Sequence, residues 1–139
     1  FTFVAPTVAG SAFNMASQQT EDYLKVSNMN SAVANTTKIS VTVSQVDPGL
    51  RLSLQVSDPT GAGLGGTLGT VETNYVGQYY DLVSGMQADI VTGIGSMHTG
   101  TLPTEGYKVE YSLSVLSLQS LRSITQGMST TKIVYTISS

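Results

Sequence analysis

Apolar and polar residues alternate with a period of two over much of the chain. Ile39, Val41 and Val43 alternate with Ser40, Thr42 and Ser44, and Leu50, Leu52, Leu54 and Val56 alternate with Arg51, Ser53, Gln55 and Ser57. Successive side chains of a strand point to opposite faces, so each run predicts a strand with one buried and one polar face. Asp47-Pro48-Gly49 stands between them. Proline presets a turn dihedral and glycine supplies a positive φ, so the pair reads as a β-hairpin. A third run sets Tyr107, Val109, Tyr111, Leu113 and Val115 opposite Lys108, Glu110, Ser112 and Ser114, and a fourth, Lys132 to Ile137, sets Ile133, Tyr135 and Ile137 on one side. Shorter strand signals lie at Tyr23 to Val26, Gly69 to Val71, Tyr79 to Val83 and Ala88 to Val91.

Glycine-, proline- and serine-rich stretches separate these runs, among them "SDPTGAGLGGTLG" and "TGIGSMHTGTLPTEG". Leu118, Leu121 and Ile124 have helical spacing, and a loop turn fits them equally well. Many short strands divided by turns predict an all-β fold: an antiparallel Greek-key, immunoglobulin-like β-sandwich of seven or eight strands. Residues 1–20 differ in character, with Phe1, Phe3 and Ala5 alternating with Thr2 and Val4 until Pro6 interrupts. They read as an extended N-terminal arm preceding a single sandwich domain over residues 21–139. An edge strand of that same domain fits them equally well, because proline is tolerated on edges.

A length of 139 residues suits one domain. Charged residues make up 11% of the chain, against about 25% in typical soluble proteins, and Ser, Thr, Gly, Asn and Gln carry most of the polarity. Lys25, Lys38, Arg51, Lys108, Arg122 and Lys132 are scattered singly, so no basic stripe exists for a nucleic acid. A net charge of -3 argues against attachment to anionic lipid. No apolar run approaches the ~20 residues of a membrane-spanning helix. Without cysteine, neither a disulfide framework nor a thiolate zinc site is possible. A first residue of Phe1 fits a mature chain whose secretory signal has been removed, or a trimmed one. Together with few lysines and many hydroxyl residues, it points to an extracellular or cell-surface location.

No catalytic constellation is visible. His98, the one histidine, sits in "GSMHTGT" with no acidic residue within six positions, and reads as an exposed loop residue. The nine acidic residues form no calcium-loop pattern, and no metal or other cofactor is expected. "GAGLGGTLG" lacks the lysine of a phosphate loop; its glycines suit a flexible connection or the close approach of another backbone. "NYVGQYYD" puts Tyr75, Tyr79 and Tyr80 beside Asp81. Aromatic faces with planar polar groups suit a sugar platform, and tyrosines at such spacing also fill sandwich cores. Asn35-Thr36-Thr37 is a formal glycosylation acceptor.

In residue character, and in "FTFVAPTVAG" and "KIVYTISS", the chain resembles bacterial fimbrial (pilin-like) subunits. It departs from their common pattern in lacking cysteines and in placing Tyr135 farther from its last residue than the penultimate tyrosine often found there. The resemblance implies a structural subunit that polymerises with copies of itself by donor-strand complementation, one subunit's extended segment completing the next subunit's sheet. Phe1, Phe3, Val4 and Val8 would be donor residues, and Ile133, Tyr135 and Ile137 would lie at the second assembly strand. The alternative is a secreted carbohydrate-binding or adhesive module that takes host or environmental glycans at Tyr75, Tyr79, Tyr80 and Asp81.

Overall fold

The computed structural model describes residues 18–29, 35–46, 50–61, 63–115 and 131–138. In chain order they form β1 (Gln18–Leu24), β2 (Ser27–Asn28), β3 (Thr37–Val43), β4 (Leu50–Ser57), β5 (Gly65–Gly66) and β6 (Thr70–Val71). After a 3-10 turn at Thr73–Tyr75 come β7 (Tyr80–Leu82), β8 (Gln87–Ile94), β9 (Met97–His98), β10 (Tyr107–Val115) and β11 (Ile133–Ser138). Two four-stranded antiparallel sheets, ordered β1-β10-β4-β7 and β11-β3-β8-β6, form the sandwich, and β2-β9-β5 make a small third sheet. The all-β fold expected from the alternation is present. Phe1, Phe3, Val4, Val8 and the helical spacing at Leu118, Leu121 and Ile124 lie outside the described residues.

One hydrophobic core lies between the two large sheets. Ile39, Val41 and Val43 of β3 and Ile90, Val91 and Ile94 of β8 meet Leu52, Leu54 and Val56 of β4 and Tyr107, Val109 and Leu113 of β10, all buried. Removal of this apolar surface from water is the main term favouring the fold. The buried Tyr107 phenol donates to the Leu68 carbonyl, so its polar tip is satisfied within the core.

The hairpin expected around Asp47-Pro48-Gly49 does not form. β3 bonds β11 and β8 in one sheet, whereas β4 bonds β10 and β7 in the other. Alternation tells which face of each strand is apolar but not which strand lies beside it. With β3 and β4 in opposite layers, their two apolar faces are buried in the same core. Residues 47–49 themselves lie outside the described residues.

Pairing is instead nested: β1 with β10, β3 with β8, and β4 with β7. A long hairpin rolled into two layers gives this order. The outer faces use one device twice. In one sheet Asp89 accepts from Ser40 at 2.7 Å and from Lys38 at 3.2 Å. In the other, Asp81 accepts from Arg51 at 2.8 Å and from Ser53 at 2.9 Å.

Candidate functional site

Each large sheet ends on the same flank of the sandwich, one with β1 and the other with β11. Between these margins lies a cavity of about 290 Å³, walled by Leu24 of β1, Lys25 and Val26 just after it, Ile39 of β3, and Tyr135 and Ile137 of β11. It is mostly apolar. The Tyr135 hydroxyl bonds that of Tyr111 on β10, tying the two sheets together beside it. Burial, and then this hydrogen bond, raise the Tyr135 phenol above the ordinary range, and burial raises Tyr111 as well, so both stay neutral at physiological pH.

Ile137 marks the opening. On β11 the two-residue period turns Ile133, Tyr135 and Ile137 to one face, and the first two pack against the core. Ile137 remains 47% exposed because the flank between β11 and the end of β1 is open. Val134, on the opposite face, is 40% exposed. Among the described residues β11 pairs only with β3, so no described strand bonds its other edge.

The structure thus gathers Ile133, Tyr135 and Ile137 on one edge strand. Leu24, Val26 and Ile39, which sequence reasoning did not single out, complete the slot. Their spacing carries no such signal, because the sequence pattern does not reveal which strands become sheet margins. Tyr75 is only 2% exposed and packs edge-on against Tyr80, with ring centroids 5.2 Å apart. Tyr79 is half-buried, and Tyr80 stands exposed on β7. Strand alternation sends Asp81 to the face of β7 opposite Tyr80, where Arg51 and Ser53 hold it. His98 lies exposed on β9, its imidazole filling the space a side chain at Gly65 would need. Among the described residues no three His, Asp or Glu side chains cluster as metal ligands, and no helix is long and apolar enough to cross a membrane.

Comparison with protein-family models, with curated proteins and with solved structures found no match to this chain.

Proposed function

We propose that this protein is a non-catalytic structural subunit of an extracellular or cell-surface filament (a pilus or fimbria), assembling by strand complementation between copies. The observation that carries the reading is Ile137: a core-facing residue of an edge strand left half-exposed above an apolar slot. A strand added beside β11 would bond the edge that no described strand pairs and send every second side chain into the slot. The stretch Phe1-Thr2-Phe3-Val4, continuing to Val8, has the alternation and bulk of such a donor. Donor and acceptor are different surfaces of the same chain, so the contact is heterologous and propagates into an open-ended polymer. An unfilled edge of this kind is otherwise an aggregation liability.

Negative-stain electron microscopy tests the reading. Filaments are expected from the full chain and not from a chain lacking residues 1–13, nor from Ile137→Lys, which adds a second ammonium to a slot that Lys25 already lines. Discrete particles from all three, or filaments indifferent to both changes, would contradict it.

A further inference from the structure

The glycine-rich loop after β4 and the loop before β10 close around Glu105. This carboxylate is only 6% exposed. Its Oε1 accepts the Gly63 N–H at 3.3 Å and its Oε2 the Leu102 N–H at 3.1 Å. The glycines make room for it: a Cβ at Gly63 would lie 2.6 Å from Oε2, and one at Gly100 would overlap the same carboxylate. Gly100 also has φ +100°, a conformation that L side chains rarely adopt. None of the ion pairs among the described residues includes Glu105. A buried carboxylate without a cation is costly to hold, and each of its oxygens retains acceptor capacity beyond the single N–H it binds.

Beside Glu105 lies a cavity of about 530 Å³, within the roughly 300–1,000 Å³ of small-molecule clefts. Tyr23, Asp58, Thr60 and Lys108 are among the residues that line it, and the Lys108 ammonium also pairs with Glu21 at 3.1 Å and Glu110 at 3.7 Å. Donor and acceptor groups thus both stand along its wall. An anion would meet two carboxylates there, and a cation would meet Lys108. A hydroxyl group serves as donor to the carboxylates and as acceptor from the ammonium.

We propose that this cavity is a binding site for a neutral saccharide, whose hydroxyls bond Glu105, Asp58 and Lys108 while its C–H face lies on Tyr23. The site is separate from the slot at Ile137 and does not depend on filament assembly.

The test is saturation-transfer NMR on the full chain with a panel of neutral mono- and oligosaccharides at millimolar concentration. The signal is read on the saccharide's own protons, so assembled and unassembled protein both report. At least one saccharide is expected to receive saturation, and its affinity to fall about tenfold in Tyr23→Leu and in Asp58→Asn, the loss of one partner each. Thermal melts should remain those of the parent chain; Asp58 is exposed, so its variant keeps the test valid if Tyr23→Leu alters the edge strand. No transfer to any saccharide would overturn the proposal. So would transfer unchanged in Asp58→Asn, or transfer abolished by Tyr80→Ala while both cavity variants retain it.

Discussion

Removing one hydroxyl from the Tyr111 and Tyr135 pair would leave the other phenol half-buried without its partner. Tyr111→Phe or Tyr135→Phe alone should therefore cost about 1 kcal/mol, and the double variant less than the sum, because no orphaned hydroxyl remains. Denaturant unfolding of the four proteins measures this coupling. A further consequence concerns alkali. Burial pushes the Tyr107 phenol up to about 12 and also raises Tyr111 and Tyr135. A raised phenol pKa means that the unfolded chain releases its proton first. The stability these groups lend is full below about pH 10 and is lost as pH rises from there through the folded values. Phenolate absorbance from these tyrosines should thus appear together with loss of β-sheet circular dichroism, not before it. At this scale the sequence was only partly legible. The period of two marked Tyr107, Tyr111 and Tyr135 as inward-facing, but nothing in it linked Tyr111 with Tyr135, or joined the glycines of "GAGLGG" to a carboxylate some forty positions on.

Strands are stabilised on their outer faces by Asp81 and Asp89, each bridging a serine and a cation on the neighbouring strand. The hydrogen bond from Arg51 chiefly lowers the Asp81 pKa, and that from Ser40 chiefly lowers Asp89. A lowered carboxyl pKa contributes stability above the unfolded value of about 4, and that contribution is lost as pH falls through the folded one. Thermal stability should accordingly decline below about pH 4, and Asp81→Asn with Asp89→Asn should flatten that decline. Both carboxylates are well exposed, so each pair is worth at most about 1 kcal/mol at neutral pH. Element positions were the most legible level: the alternating runs became β3, β4, β10 and β11, and the weaker signals became parts of β1, β6, β7 and β8. Of the four two-residue strands among the described residues only β6 was found; β2, β5 and β9 were missed, being too short for alternation to register. The expected β3–β4 hairpin failed for a different reason. Proline and glycine reverse a chain equally well within one sheet or between two, and the apolar faces of both strands are buried only when they lie in opposite layers.

Taken as a whole, the molecule is wound from distant pairs, with β1 bonded to β10 and β3 to β8. This winding brings the margins β1 and β11 together on one flank and leaves the slot at Ile137 between them. Such a site arises from topology, so a reading along the chain finds its β11 residues by their period but not their neighbours Leu24, Val26 and Ile39. Whether a second copy fills the slot can be asked directly, because the chain contains no cysteine and any introduced pair reports alone. Copies carrying Phe3→Cys are mixed with copies carrying Ile137→Cys under mild oxidation, and the products are separated without reductant. A disulfide-linked heterodimer, absent when either cysteine is left out and retained when the Ile137→Cys copy lacks residues 1–13, is the expected result. If the mixed copies give no heterodimer, while one chain bearing both cysteines closes on itself, the segment fills its own slot and assembly by strand complementation between copies is contradicted.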